Sequence, residues 1–289
     1  MKLLSFLLSV FIASSIVFSG CISNENANKP DAATVQETPA PENKTLPDKW
    51  AVFVLDNASF PGDYEFMVEW KNFTRDNYGF PEQHILCIFD EGNFSKANIA
   101  GALKWMIDNT GENSTAVFSF DGHGSAGIGE GNRILSSSIY CGDGSLSDYE
   151  IGELMKNWTC KKFLFLSEGC QNGFMCDDLS NPITGSAPGV IAPGRVIISA
   201  SCEATFAWSN GTGPLFHQCF YYGLLNNAAD GWDAFSNDAT GPIGEKDGKA
   251  SVEEAFWYGR NHVWPAEDFA MNMEAQPKMN DGIEGDFFL

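Results

Sequence analysis

Residues 161–175 read KKFLFLSEGCQNGFM, and this stretch limits the fold more than any other in the chain. Phe163, Leu164, Phe165 and Leu166 form an apolar run with the length and composition of a fully buried strand. The run breaks off into Ser167-Glu168-Gly169-Cys170-Gln171-Asn172-Gly173, which is small, polar and glycine-flanked. In open α/β sheets ligands collect at the carboxyl ends of strands. A thiol at such a tip is where a substrate can reach it, although a lone cysteine is more often an inert core thiol than a nucleophile.

A second stretch is built the same way. Residues 114–120, STAVFSF, are strand-like and end in Asp121-Gly122-His123-Gly124-Ser125. If both strands lie parallel in one sheet, His123 and Cys170 emerge on the same edge. Thiol and imidazole are the two parts of a cysteine hydrolase, here with the histidine roughly 50 residues upstream.

The rest of the chain supplies that sheet. Residues 50–55 are a clear strand. A helix is expected over 63–78, with Phe66, Met67, Trp70 and Phe73 at three-to-four spacing and Gly79 as its stop. Residues 84–89 are a strand, and 95–109 a helix capped by Ser95. Residues 126–144 are glycine-rich and irregular, with 134–141 a hairpin arm. A short helix starts at Ser147 and runs to Trp158. Residues 177–194 form a long Pro/Gly/Ser loop, 195–201 another buried strand, and 214–226 and 251–263 the last helices. Alternating strands and helices give the βαβ pattern of a mostly parallel sheet.

At 289 residues, with 44% hydrophobic residues, the chain can bury a sizeable core. The net charge of −21 argues against nucleic acid, which needs a basic footprint. Residues 1–20 have a basic start, an apolar run and a small-residue ending, the pattern of a secretory signal. The ending Phe18-Ser19-Gly20-Cys21 resembles a prokaryotic lipobox, in which Cys21 carries lipid and anchors the protein at the outer face of the membrane. A plain signal, giving a secreted protein, and an uncleaved membrane anchor are the alternatives. Residues 21–48 are polar and proline-bearing, a disordered tether; 49–289 form the folded domain. Beside Cys21 and Cys170 the chain has six cysteines, an even set that can pair outside the cell. None has the close CxxC spacing of a structural zinc site.

The strand tips also resemble a known family. Phe120-Asp121-Gly122-His123-Gly124-Ser125 is similar to the His-Gly-Ser motif of the legumain cysteine peptidases, and Glu168-Gly169-Cys170-Gln171-Asn172-Gly173-Phe174-Met175 to that family's cysteine block. The resemblance runs from Trp50 to the last helix. It implies an α/β, caspase-like fold, a mostly parallel sheet of about six strands flanked by helices. It also implies a cysteine endopeptidase with Cys170 as nucleophile, His123 as general acid and base, and the backbone N–H groups of Gly124 and Cys170 as oxyanion hole. Glu168 matches the acidic residue two before the family's nucleophile and would shape the substrate pocket, or else be a solvated turn carboxylate.

The family's asparagine preference rests on an Arg-His pair and an Asp that this chain lacks in 57–64 and 201–216. Asp63, Glu168 and Glu203, with Ser201 beside them as a further substrate contact, would instead suit a basic residue at P1. Two other readings of the dyad are a catalytically silent surface binding module and a transamidase. Residues 244–254 resemble the back half of an EF-hand loop, with Asp247 and Glu254 as calcium ligands. A helix cap built from Ser251 and Glu254 explains the same residues without metal. No cofactor is otherwise expected; the expected partners are a peptide substrate and, through Cys21, the membrane. Oligomeric state is left open.

Overall fold

The computed structural model describes residues 47–56, 62–131, 133–178, 189–263 and 275–289. All belong to one unit, Thr45–Leu289. The expected signal segment, Cys21 and the tether up to residue 46 lie outside the described residues, as does 179–188 of the long loop.

The chain opens with β1 (Lys49–Leu55), whose last five residues are fully buried. Helix α1 (Asp63–Tyr78) buries Phe66, Met67, Trp70 and Phe73 on one face and stops at Gly79. Gly79 is left-handed, and its N–H reaches the Arg75 carbonyl. Strand β2 (Ile85–Ile88) leads to α2 (Lys96–Asn109), where the Ser95 hydroxyl accepts from the Asn98 N–H as an N-cap. Strand β3 (Thr115–Asp121) is buried throughout.

Next, β4 (Gly124–Ile128), β5 (Leu135–Cys141) and β6 (Gly144–Ser147) form a separate three-stranded antiparallel sheet. Helix α3 (Asp148–Met155) follows with a complete capping box between Ser147 and Glu150. Then come β7 (Phe163–Glu168), β8 (Arg195–Ser199), and the short antiparallel pair β9 (Ser209–Asn210) and β10 (Gly213–Pro214). Helices α4 (Leu215–Leu224) and α5 (Val252–His262) and strand β11 (Lys278–Asp281) complete the order.

The central sheet runs β11-β8-β7-β3-β1-β2. Its first five strands in chain order, β1, β2, β3, β7 and β8, are parallel, and β11 pairs antiparallel with β8. Strand residues alternate between two cores. Phe53, Leu55, Val117, Leu164 and Ile198 join α1, α4 and α5 through Trp70, Phe216 and Phe256. Val52, Val54, Phe118, Phe165 and Ile197 join α2 and α3 through Ile99, Leu103, Met106, Ile151 and Met155. Burial on both faces is why these strands read as continuous apolar runs. The fold is α/β, a mostly parallel six-stranded sheet flanked by helices.

Three expectations need correction. The hairpin arm expected over 134–141 is present as β5, but the stretch around it is less irregular than expected, since most of 126–144 belongs to the second sheet, built on serines and glycines. Strand β11 went unread because Lys-Met-Asn-Asp is too polar to look like a strand, which an edge position permits. The described cysteines, Cys87, Cys141, Cys160, Cys170, Cys176, Cys202 and Cys219, are all free thiols, not disulfide partners.

Candidate active site

β3 and β7 are neighbours, and their register aligns Asp121 with Glu168. His123 and Cys170 each stand two residues beyond that aligned pair. The two strands therefore deliver imidazole and thiol to the same rim at matched positions. His123 is exposed and Cys170 half-buried. The His123 carbonyl accepts from the Tyr140 N–H at 2.9 Å, which ties the turn to β5.

The two turns are pressed together. A Cβ on Gly124 would lie 2.7 Å from the Cys170 carbonyl oxygen and 2.6 Å from Asn172 Nδ2. A Cβ on Gly169 would lie 2.0 Å from Asn172 Oδ1. Only glycine permits this approach. Gln171 takes a left-handed φ of 57° and so turns the chain sharply after Cys170.

Buried side chains hold that turn. Asn172 Oδ1 accepts from Ser167 Oγ at 2.8 Å, and its Nδ2 donates to the Ser138 carbonyl at 3.0 Å. Ser137 Oγ donates to the Gln171 carbonyl at 2.6 Å and accepts from the Phe174 N–H at 3.2 Å. Behind it, buried Arg133 donates to Asp148 Oδ2 at 3.0 Å and to the carbonyls of Phe174 and Asp177. On the far side the Gln171 N–H donates to the Thr205 carbonyl at 3.0 Å, and Cys170 Sγ lies 3.7 Å from the Ala207 carbonyl oxygen. Burial pushes the Cys170 thiol up from its ordinary value, and Glu168 adds to the rise, while the contact with Ala207 opposes it.

Beneath the rim lies an acidic floor. Glu168 is 4% exposed; its Oε1 and Oε2 accept from the N–H groups of Phe216 and His217 at 3.3 and 2.9 Å, at the start of α4. Burial nonetheless raises its carboxyl to about 8. Asp121 is raised well above the carboxylate range by burial and by the charges of Asp63, Glu168 and Asp56. Asp63, at the start of α1, accepts from the Ser209 hydroxyl and is raised to about 6, chiefly by burial. The His217 ring is 1% exposed and held neutral by burial, its value lowered to about 3.

The residues expected to touch substrate are redistributed by this geometry. Glu168 is not a solvated turn carboxylate; it is buried at the N-terminus of α4. Asp63 is likewise buried. Ser201 is 0% exposed and committed internally, donating to the Gly169 carbonyl at 2.8 Å and accepting from the Asn172 N–H at 3.3 Å. Glu203 pairs with Lys278 at 3.1 Å, and Lys278 also holds Asp177 at 2.7 Å. Glu254 accepts from the Gly231 and Ser251 N–H groups at 2.7 and 2.8 Å, inside a full capping box for α5. Its oxygens serve the cap, and the Asp247 carboxylate accepts from the Lys249 N–H. Asp121, Ser137 and Asn172 are the site residues that the sequence did not single out.

No family model matches the chain, and no curated protein matches it. Among solved structures it is similar to caspase-1 from Spodoptera frugiperda, with TM-score 0.49 and 14% identity over 82% of this chain and 87% of that one. It is also similar to a protein from Geobacter sulfurreducens, with TM-score 0.44 and 13% identity over 63% of this chain and 83% of that one.

Proposed function

We propose that the chain is a cysteine endopeptidase that cuts peptide bonds through Cys170 and His123. The carrying observation is the register of β3 and β7, whose last pair, Asp121 and Glu168, stands two residues before His123 and Cys170. The resemblance of both turns to the legumain motifs supports the same reading.

The raised Cys170 thiol stays protonated at neutral pH, so it is deprotonated as it attacks. Sγ bonds to the scissile carbonyl carbon as its proton passes to His123, the C–N bond breaks, and His123 delivers that proton to the leaving amine. The product is a thioester. Water, relieved of a proton by His123, then adds to the thioester carbon; the S–C bond breaks and the proton returns to Sγ. The N–H groups of Gly124 and Cys170 stabilise the oxyanion in both halves. The absence of a side chain at Gly124 lets the turn that carries Cys170 pack against it.

A peptidyl acyloxymethyl ketone tests this reading. It is expected to label the wild type at Cys170 and not Cys170→Ala, with peptide hydrolysis lost in parallel. Hydrolysis that survives in Cys170→Ala would end the proposal. Product analysis with an added amine separates hydrolysis from transamidation. We also propose that lipid on Cys21 anchors the domain at the outer face of the membrane; incorporation of an alkyne fatty acid should vanish in Cys21→Ser.

A further inference from the structure

The acidic floor carries an inference that rests on the peptidase reading. Among the described residues, seven buried side-chain atoms lack a hydrogen-bond partner, and four of them are Asp63 Oδ2, Asp121 Oδ2 and both ring nitrogens of His217. A buried polar atom left unpaired costs about 1–3 kcal/mol. Concentrating four beneath one rim is expensive unless something arrives to pair with them.

These groups converge. Asp121 and Glu168 are register partners, so their side chains leave the sheet on one face, next to each other. That is the face of Val117 and Leu164, covered by α1 and α4. Asp63 opens α1, and Phe66, one turn on, lies against the His217 ring with centroids 6.4 Å apart. The His217 backbone N–H holds Glu168. His217 thus joins the first turns of α1 and α4, its ring against Phe66 and its backbone N–H on Glu168. Every charge that acts on Asp121 is acidic: Asp63, Glu168 and Asp56. Among the described residues, no cation is among the charges that act on Asp121.

We propose that the floor is the specificity pocket and that it takes a basic P1 side chain, arginine before lysine. The floor lies two residues down β3 and β7 from the dyad, roughly 7 Å at the rise of a strand. A long side chain hanging from the acylated residue spans that depth. A guanidinium brings five N–H donors and a charge that pairs with carboxylates two at a time. Lysine brings the charge without the planar fork. Asparagine and leucine supply neither, and aspartate adds a further like charge.

Substrates and acyloxymethyl ketones that differ only at P1, with Arg, Lys, Asn, Asp or Leu, test the assignment on the full chain. Arginine should exceed leucine and asparagine in kcat/KM by about 100-fold or more. Asp121→Asn should reduce P1-Arg turnover by about 10- to 100-fold while alkylation of Cys170 by iodoacetamide keeps its rate. Asp63→Asn serves if Asp121→Asn does not fold. Benzamidine binding to Cys170→Ala needs no catalysis; it should be measurable there and weakened when Asp121→Asn is added. P1-Asn, P1-Asp or P1-Leu probes labelling as fast as P1-Arg would overturn the specificity and leave the peptidase intact. No labelling by any probe would overturn the peptidase reading, and benzamidine binding would then decide the pocket alone.

Discussion

Asp121 and Glu168 face each other across two parallel strands, and each lies two residues before one member of the candidate dyad. One register therefore sets two things. Beyond the pair the turns that carry His123 and Cys170 leave the same edge of the sheet; at the pair, two carboxyls lie by the starts of α1 and α4. A slip of one residue in this pairing would turn one of the two carboxyls to the other face of the sheet.

Gly124→Ala should damage catalysis more than folding. The added methyl would sit 2.7 Å from the Cys170 carbonyl oxygen and 2.6 Å from Asn172, so the nucleophile turn has to move. Overpacking of this kind costs about 1–3 kcal/mol, and a displacement near 1 Å can cost about 100-fold in rate. Thermal unfolding together with kcat checks it. Unchanged kcat would mean that the turn yields without cost.

Asn172→Ala removes the group that joins Ser167 on β7 to the Ser138 carbonyl on β5. Both partners are left short inside the protein, a loss of about 1–3 kcal/mol. Asn172 is a positioning residue and does not touch substrate, so kcat should fall while KM changes little. The alkylation rate of Cys170 should shift as the turn relaxes, a response that a simple loss of stability would not give.

Arg133 and Asp148 form a buried pair, with side chains 1% and 0% exposed. Asp148→Ala should cost about 3–5 kcal/mol, because it leaves a charged guanidinium unpaired in the interior. Arg133→Met combined with Asp148→Leu should recover part of that loss, since neither charge is then buried. Chemical denaturation of the three variants reads the effect. A double variant as unstable as Asp148→Ala would show that the pair contributes more than its mutual neutralisation.

Much of the fold was legible because burial on both faces writes itself into composition. Phe163-Leu164-Phe165-Leu166 can hardly be anything but interior, and Ser95, Gly79 and Ser251 mark helix ends by local hydrogen bonding that needs no tertiary context. His123 and Cys170 were legible as strand tips. Of the second sheet the arm over 134–141 was legible and the rest was not, because Gly124-Ser125-Ala126-Gly127-Ile128 has neither alternation nor β-branched residues until its end. Asp121 went unnoticed for another reason. Its meaning depends on which residue of β7 stands beside it, and register is a property of two strands, not of one. Asn172 reads as an ordinary turn residue until Ser138, 34 positions earlier, is found under it.

The acidic floor should be visible in stability against pH. Glu168 is raised from an ordinary 4.5 to about 8 in the fold. Over that window the native state holds a proton that the unfolded chain has lost, so stability falls as pH rises from about 4.5 to about 8. Asp63 and Asp121, raised likewise, act in the same direction. His217 acts oppositely. Its native value near 3 lies below the ordinary 6.5, so stability is lost as pH falls below about 6.5 and goes on falling towards 3. The Cys219 thiol, raised by burial and by the Glu168 charge, also lies by the floor. Denaturation at a series of pH values should give Glu168→Gln a flatter alkaline limb and His217→Phe a flatter acid limb than the wild type. The wild-type difference between pH 5 and pH 8 assigned to Glu168 is on the order of a few kcal/mol. Curves for Glu168→Gln that run parallel to the wild type across this range would show that Glu168 ionises as freely in the fold as in water, and the buried floor would lose its electrostatic basis.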